Sequence, residues 1–290
     1  FQAEDGIRDC LLSRGLGDVY KRQVDILSLS KLQSDLLDAA WKLLRNNGIL
    51  IYCTCSLEKD EGEHQIESFL KRNKNSILDK IYEYKKIEVN DSYKSLSINE
   101  LINNVSRDSG TSRSFLGSIR DNTLAGKISL VCEIKKASPS KGILKEIFNV
   151  SEITKEYSAA GATCISVLTD TPSFMGSKED LGIARNSSPL PLLRKDFFID
   201  PYQVFEARAI GADCILIIIA ALNGKQADEL YSEALKNNLS IIVEVHNEKE
   251  AELALKYEEA LIGINNRNLK TLDVSINNTV SIFEILKEHK

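Results

Sequence analysis

Charged side chains follow an apolar segment in the stretch EIKKASPSKG (133–142), which comes directly after ISLVC. The apolar run is typical of a buried strand, so Glu133 and Lys135 are predicted to lie at its carboxyl end. An ammonium group can donate a proton to a carbonyl oxygen or hold an anionic substrate, and a neighbouring carboxylate can orient it. A single charged strand end is most often only solvated, so the other strands decide whether this is a site.

Three other predicted strands carry polar residues in the same position. They are PLLRK (191–195) with Lys195, IIVEV (241–245) with Glu244, and LIGIN (261–265) with Asn265, which Arg267 follows. Alternate side chains of a strand face opposite sides of a sheet, and this spacing puts the polar residues of each segment on one face. Four strands that agree in position and in parity predict one polar site at the carboxyl edge of a parallel sheet.

The elements that would carry these residues alternate between strand and helix. Further strands are predicted at 164–169 and 214–219, and helices at 151–161, 201–212 and 277–290. This alternation is typical of βαβ units, which build both doubly wound sheets and (βα)8 barrels. No G-x-G-x-x-G or Walker loop follows a strand, which weakens the nucleotide-binding sheet. The polar strand ends favour the barrel.

Composition limits the classes of partner. The chain has 290 residues, 43% of them hydrophobic, and a formal net charge of -5, so a sizeable core is expected and a nucleic-acid partner is not. No apolar run approaches the ~20 residues that span a bilayer. The six cysteines have no disulfide-framework spacing and no signal peptide precedes them. The pair Cys53 and Cys55 lacks partners for a zinc site, so we expect a cytoplasmic protein without a metal.

Five motifs, in order, resemble indole-3-glycerol phosphate synthase of tryptophan biosynthesis. They are EIKKASPSKG, FMGSKEDL (174–181), LLRKDFFIDPYQVFEARAIGAD (192–213), VEVHNEKE (243–250) and LIGINNRNLKT (261–271). ILDKIYEYKK and SRSF (112–115) resemble the helical segment that precedes the barrel in that family. The resemblance runs from Ile77 to the last residue. It implies an α/β fold of the (βα)8 TIM-barrel family and a carboxy-lyase that needs no cofactor.

The reaction of that family closes an indole ring. The substrate, 1-(2-carboxyphenylamino)-1-deoxyribulose 5-phosphate, is a small phosphorylated anion that loses carbon dioxide and water. The resemblance assigns a role to each polar strand end. Lys195 would be the acid at the carbonyl and Glu244 its acid/base partner. Lys135 would hold the substrate anion and assist dehydration, Glu133 would orient Lys135, and Asn265 and Arg267 would contact the substrate. Association with other enzymes of tryptophan synthesis is a further expectation.

Three more residues near these motifs keep two readings. Ser138 begins the turn after the first strand, where it can hold an anion or simply form a Ser-Pro turn. Phe174 can flank the aromatic ring of the substrate or serve in packing. His246, which follows the Glu244 strand, is expected to face outward and to have a structural role.

The chain before the synthase-like part divides into two predicted segments. Residues 1–23 resemble a translated sequencing adaptor and are expected to be a non-native tail without stable structure. Residues 24–72 resemble the C-terminal part of an S-adenosylmethionine-dependent RNA cytosine-C5 methyltransferase, in which Cys55 of a TCS motif would be the nucleophile. A small buried cysteine at a strand end is the plain alternative. Without that family's cofactor loop, 24–72 is expected to be a non-functional remnant.

The synthase-like part has two predicted sections and an unusual length. Residues 77–127 are expected to be the N-terminal helical extension, with helices at 77–89 and about 97–105 and Phe115 as a lone anchor. Residues 128–290 are expected to form a partial barrel of about six βα units. From Ile77 the chain spans 214 residues, against about 250 in a typical barrel. Strands seven and eight are therefore expected to be missing and the chain to be inactive as written.

Two alternative functions remain at this point. Another phosphate-binding barrel, such as phosphoribosylanthranilate isomerase, would need a cysteine near the end of the first strand and an aspartate as the acid–base pair. Cys132 is close, but its parity is opposite to that of Glu133 and Lys135. The other alternative is an RNA cytosine-C5 methyltransferase fragment that uses Cys55, against which the acidic charge balance argues.

Overall fold

The computed structural model describes residues 23–43, 63–72, 77–108, 112–139, 141–267 and 274–287. The chain divides into two compact units, 1–75 and 76–290. In the first unit, helices α1 (Gln23–Leu43) and α2 (Glu63–Arg72) pack together, and Gln65 Nε2 donates to Ser30 Oγ at 3.0 Å. Residues 1–22 of the tail expected at 1–23 lie outside the described residues, as does Cys55, whereas Gln23 begins α1.

Three helices open the second unit. They are α3 (Ile77–Ser95), α4 (Ile98–Asp108) and α5 (Phe115–Leu124). The first two were predicted with shorter bounds, whereas α5 was not predicted. Its only fully buried residue is Phe115, so no apolar stripe marks it in the sequence. Its start is set locally instead, because the Ser114 hydroxyl accepts a hydrogen bond from the Gly117 N–H as an N-cap.

Six parallel strands form the sheet, in the order β1-β4-β5-β6-β7-β8. Their bounds are β1 (Val131–Ile134), β4 (Cys164–Leu168), β5 (Leu192–Lys195), β6 (Cys214–Ile218), β7 (Ser240–Val245) and β8 (Leu261–Ile264). All six predicted strands are confirmed. Within the described part of the chain, β1 pairs only with β4 and β8 only with β7, so the sheet is curled but not closed. The fold is an incomplete (βα)8 barrel.

Helices connect the strands, as expected for right-handed βαβ units. They are α6 (Val150–Ala159), α7 (Thr171–Phe174), α8 (Lys178–Ser187), α9 (Tyr202–Ala209), α10 (Gly224–Lys236), α11 (Glu248–Ala254) and α12 (Asn277–Leu286). A short 3-10 helix, Ile219–Ala221, follows β6, and a hairpin of β2 (Ala137–Ser138) and β3 (Gly142–Ile143) follows β1. None of the helices in the described ranges is long and apolar enough to span a bilayer.

The two faces of the sheet bury different residues. The outer face packs against the connecting helices through β-branched and aliphatic side chains, for example Ile165, Val167, Ile215, Ile217 and Val243. The inner face carries the alternate residues of each strand. We define this face by Leu193, Cys214, Leu216 and Ile218, together with the positions of the other strands that pair with them in register. Alternation along each strand therefore separates a helix-covered core from the side of the sheet that holds the polar strand ends.

Phe115 of α5 closes the amino-terminal end of the inner face. Its side chain is fully buried against Cys164 and Cys214, the first residues of β4 and β6. The backbone N–H of Leu116 also donates to Ser240 Oγ at the start of β7, at 3.3 Å. Burying a phenylalanine side chain contributes roughly 1.5–3 kcal/mol. The polar site is thus left at the opposite, carboxyl end.

Candidate active site

Lys195, Glu244 and Asn265 form one hydrogen-bonded group. Lys195 Nζ lies 2.9 Å from Glu244 Oε2, and Asn265 Nδ2 donates to Glu244 Oε1 at 3.1 Å. The three residues come from the carboxyl ends of β5, β7 and β8, and β6 lies between β5 and β7. The contact between Lys195 and Glu244 therefore reaches across the inner face of the sheet, as the parity of the strands predicts.

The Glu244 carboxyl is held as an anion by its surroundings. It is 8% exposed, and burial by itself would raise its pKa. The charge of Lys195 and the contacts from His246, Lys195 and Asn265 outweigh burial and lower the pKa of Glu244 to about 2. Near neutral pH the group is thus a carboxylate that faces a side chain able to donate a proton.

Glu133 and Lys135 form a second group at the end of β1. Their side chains make a salt bridge, and each is about one third exposed. Register places Glu133 beside Ser166 of β4, and Ser166 beside Leu193 of β5. This pair consequently lies on the same face of the sheet as Leu193, and at the same end as Lys195. Cys132 pairs with Ile165 in the register and therefore belongs to the helix-covered face.

Asn265 is oriented by the backbone that follows it. The N–H of Arg267 donates to Asn265 Oδ1 at 2.9 Å. Because the amide oxygen accepts this bond, the Asn265 amide nitrogen is left to point at Glu244. Arg267 itself makes an isolated bridge with Val274.

Ser138 and Phe174 lie on the segments that follow β1 and β4. Ser138 pairs with Gly142 in the β2–β3 hairpin and is half-buried. Phe174 ends α7, and its ring centroid lies 6.3 Å from that of Phe197, with an interplanar angle of 34°. Phe197 was not singled out from the sequence. Its only signal there is an aromatic residue two positions after Lys195.

His246 contradicts the expectation that it faces outward. Its Nε2 lies 3.2 Å from Glu244 Oε1 and its Nδ1 lies 3.1 Å from Glu250 Oε2, and the side chain is 6% exposed. The contact with Glu244 is an ion pair rather than a well-aligned hydrogen bond, since Nε2 has no partner in hydrogen-bond geometry. The outward expectation is wrong because His246 comes two positions after Glu244, so alternation itself puts both side chains on the same face.

A buried ionic network lies next to this site and was not predicted either. Lys85 of α3 is fully buried and lies 2.6 Å from Asp196 Oδ1 and 3.1 Å from Asp170 Oδ1. Arg194, also fully buried, contacts Asp196 at 3.0 Å and Glu206 at 2.8 Å. Burial would raise the pKa of Asp196, but the two cations lower it to about 2.

The network fixes the backbone on both sides of the polar site. Asp196 Oδ1 accepts the N–H of Phe197 at 2.9 Å. Asp170 Oδ2 accepts the N–H of Ser173 at 3.0 Å and so caps α7, which carries Phe174. Lys85 of α3 thus connects the segment that carries Phe174 with the segment that carries Phe197.

Comparison with known proteins gives two family matches. The family model of indole-3-glycerol phosphate synthase matches residues 78–290. The model of the 16S rRNA methyltransferase RsmB/F matches residues 17–104, and the two matches overlap at 78–104.

Three bacterial indole-3-glycerol phosphate synthases show the degree of similarity. The protein of Acinetobacter baumannii is 53% identical over 158 residues, which cover 54% of this chain and 59% of that protein. That of Acinetobacter baylyi is 45% identical over 213 residues, 73% of this chain and 78% of that protein. That of Polynucleobacter necessarius is 45% identical over 219 residues, 74% and 82% of the two chains. The chain thus spans 59% of the first relative. Because the family model covers most of the chain, the chain belongs to the indole-3-glycerol phosphate synthase family.

Proposed function

We propose that this protein catalyses the synthase reaction of its family. The substrate would be 1-(2-carboxyphenylamino)-1-deoxyribulose 5-phosphate, converted with loss of carbon dioxide and water. The observation that carries the proposal is the ion pair of Lys195 and Glu244, 2.9 Å apart, on the inner face at the carboxyl end of the sheet. (βα)8 enzymes build their active sites at this end.

In the proposed ring closure, Lys195 donates a proton to the ketone oxygen of the substrate. The ring carbon that bears the carboxylate forms a bond to the ketone carbon, and the ketone becomes a hydroxyl group. The carboxylate then leaves as carbon dioxide, and its bonding electrons restore the aromatic ring. Glu244, which contacts Lys195 Nζ, takes up or returns protons afterwards.

Dehydration is assigned to the second charged pair. Lys135 would donate a proton to the hydroxyl group, which leaves as water, and Glu133 would orient Lys135 through their salt bridge. Glu244 would take the proton from the neighbouring ring carbon, whose C–H electrons form the new C=C bond of the indole. Asn265 and Arg267 would contact the substrate, Ser138 would hold its anionic end and Phe174 would flank its aromatic ring. Lys135 is 32% exposed, so a substrate anion can reach it from solvent.

The domain assignment follows the same proposal. Residues 77–127 would be the N-terminal extension and 128–290 the partial barrel. Residues 1–23 would be a non-native tail and 24–72 a remnant of a methyltransferase. The match of the methyltransferase family to residues 17–104 supports the second of these assignments. The expected location is the cytoplasm, and association with other enzymes of tryptophan synthesis remains part of the proposal.

The open sheet also bears on the rate. Within the described residues, β1 and β8 each leave one edge unpaired, so the mouth between them is not enclosed by strands. A site that admits water weakens the electrostatic contacts that catalysis needs. The expected inactivity therefore stays a proposal for multiple turnovers: beside the Acinetobacter baylyi relative the chain as written should show no measurable steady-state rate, whereas a single turnover with the protein in excess can still be followed. Equal rates under the same conditions would contradict this.

A comparison of substrates tests the function. The chain, in excess over substrate, is mixed with the carboxyphenylamino-deoxyribulose phosphate, with phosphoribosylanthranilate, or with RNA and S-adenosylmethionine. The expected result is the ultraviolet and fluorescence change of indole formation with the first substrate. Isomerisation of the second, or methylation of RNA cytosine that Cys55→Ser abolishes, would favour an alternative function instead.

A further inference from the structure

His246 contacts the Glu244 carboxylate although nothing in the proposed reaction uses it. We propose that His246 is a positioning residue: as an imidazolium held by Glu250, it fixes the Glu244 carboxylate toward Lys195. The inference rests on the proposed function and adds to it a group that does not touch the substrate. It predicts that the rate of ring closure depends on the charge of His246.

Four side chains of alternating charge form a continuous chain here. Glu250 Oε2 lies 3.1 Å from His246 Nδ1, His246 Nε2 lies 3.2 Å from Glu244 Oε1, and Glu244 Oε2 lies 2.9 Å from Lys195 Nζ. The two oxygens of Glu244 therefore serve different partners. Oε1 is held by His246 and by Asn265, at 3.1 Å, while Oε2 is directed at Lys195.

The backbone holds His246 in this place. Its N–H donates to Glu250 Oε2 at 2.8 Å, the same oxygen that its ring contacts. Asn247 caps α11 by accepting the N–H of Glu250 at 3.0 Å, which fixes where the Glu250 side chain begins. Asn278 of α12 donates to the carbonyl oxygens of His246 and Asn265, at 3.0 and 3.1 Å. Three elements thus set the distance between His246 and Glu244.

The charge of the ring matters because its neighbours are anions. The titratable groups that face it are Glu244 from β7 and Glu250 from α11, and Lys195 lies beyond Glu244. Burial would lower the pKa of His246, but its contacts with the two carboxylates raise it to about 9. A neutral ring would keep the packing and lose the attraction for Oε1, which would free the carboxylate to rotate away from Lys195.

The decisive variant is His246→Gln, because the glutamine amide can replace the ring N–H as a hydrogen-bond donor but cannot carry a charge. Ring closure is followed in single turnovers, with the protein in excess, between pH 6.5 and 10. Misplacing an acid–base partner typically costs about 10- to 100-fold. Below pH 9 we expect the unaltered chain to close the ring faster than the variant by that factor. Above pH 9 we expect the ratio of the two rate constants to fall toward one, because neutral histidine and glutamine then act alike. A ratio that stays constant with pH would overturn the inference, because a purely structural role has no such dependence.

A matched pair of variants on α11 gives the second arm. Glu250→Gln removes the carboxylate behind His246, whereas Glu248→Gln makes the same change at an exposed position of the same helix. We expect Glu250→Gln alone to move the pH at which the rate ratio falls to a lower value. Equal behaviour of the two variants would contradict the role of Glu250.

The protonation state can also be read without turnover. The chain contains three histidines, and the signal of His246 in histidine-labelled protein is the one lost in His246→Gln. Titration of this signal near pH 9, and at lower pH in Glu250→Gln, is expected. Titration near pH 6.5 would overturn the inference even if the protein is an active synthase. Absence of ring closure in the unaltered chain would instead overturn the proposed function, and the positioning role with it.

Discussion

Charged groups on the inner face occur as matched partners rather than as isolated charges. Glu244 has Lys195 on one oxygen and Asn265 and His246 on the other, and Glu133 has Lys135. A buried carboxylate without such partners would be expensive, and its pKa would rise. The arrangement keeps an ionised Glu244 carboxylate in contact with Lys195, the proton donor of the proposed ring closure.

This electrostatic arrangement predicts how stability depends on pH. The folded pKa of Glu244, about 2, is below its ordinary value of 4.5. The stabilisation is therefore present above about pH 4.5 and is lost as the pH falls through 2. Glu244→Gln should lower the free energy of unfolding at pH 7 by up to about 3 kcal/mol, since one pKa unit is worth about 1.4 kcal/mol.

The check is urea unfolding at pH 7 and in steps down to pH 2.5. The difference between the unaltered chain and Glu244→Gln should narrow as the pH falls. Glu252→Gln, an exposed change on α11, is the control and should unfold like the unaltered chain throughout. A difference that does not change with pH would mean that Glu244 stabilises by packing rather than by charge.

Strand parity predicts the face of residues inside strands and of His246 just beyond one. Glu133 and Glu244 lie within strands, and their faces follow from alternation. His246 comes one residue after β7 and two after Glu244, and its ring lies on the side of Glu244, as alternation requires. The position of the Phe197 backbone could not be predicted in this way, because it depends on the hydrogen bond that the Phe197 N–H donates to Asp196, and the sequence alone does not show such contacts.

At the scale of elements, α3 is attached to the barrel through Lys85. Its ammonium group and the two aspartates it contacts are fully buried. Removing one partner from a buried ion pair leaves an uncompensated charge, which costs about 3–5 kcal/mol. Lys85→Met keeps the bulk of the side chain, and we expect it to lower the free energy of unfolding by about 3 kcal/mol.

The neighbouring lysine provides the control for this prediction. Lys86 is half exposed and pairs with Glu83 on the same helix, so Lys86→Met should change the free energy of unfolding by less than about 0.5 kcal/mol. Denaturant unfolding and hydrogen exchange in α3 measure both effects. Identical stability of the two variants would show that the barrel does not depend on the Lys85 network.

Helix α5 makes a second element-scale prediction. Phe115→Ala should cost about 3–5 kcal/mol, because it opens a cavity at the amino-terminal end of the inner face. Leu124→Ala changes a residue of the same helix that is 81% exposed and should be nearly silent. Denaturant midpoints at neutral pH compare the two, and a small effect of Phe115→Ala would mean that the inner face is filled in another way.

Elements with a strong pattern were predictable and elements with a weak one were not. The six strands begin in short runs that are rich in aliphatic residues, and all were predicted. Helix α5 and the β2–β3 hairpin were not, since one has a single fully buried residue and the other has strands of two residues. The position of α5 also depends on the packing of Phe115 against Cys164 and Cys214, a contact that local sequence does not contain.

On the scale of the whole molecule, the barrel has six strands in its described part and two unpaired edges. The N-terminal helices act at both ends of it. Helix α5 fills the amino-terminal end through Phe115, and α3 supports the segments that follow β4 and β5 through Lys85. The polar groups are left at the carboxyl end, between segments that this framework holds in place.

The measurement that tests the central claim most directly is single-turnover ring closure by the unaltered chain and by Lys195→Met, with substrate binding measured in parallel. Losing a positioned general acid costs about 10²- to 10⁴-fold in rate. We expect that loss in Lys195→Met with little change in binding, whereas Lys225→Met, an exposed change on α10, should leave both unchanged. Ring closure at an unchanged rate in Lys195→Met would contradict the assignment of the active site.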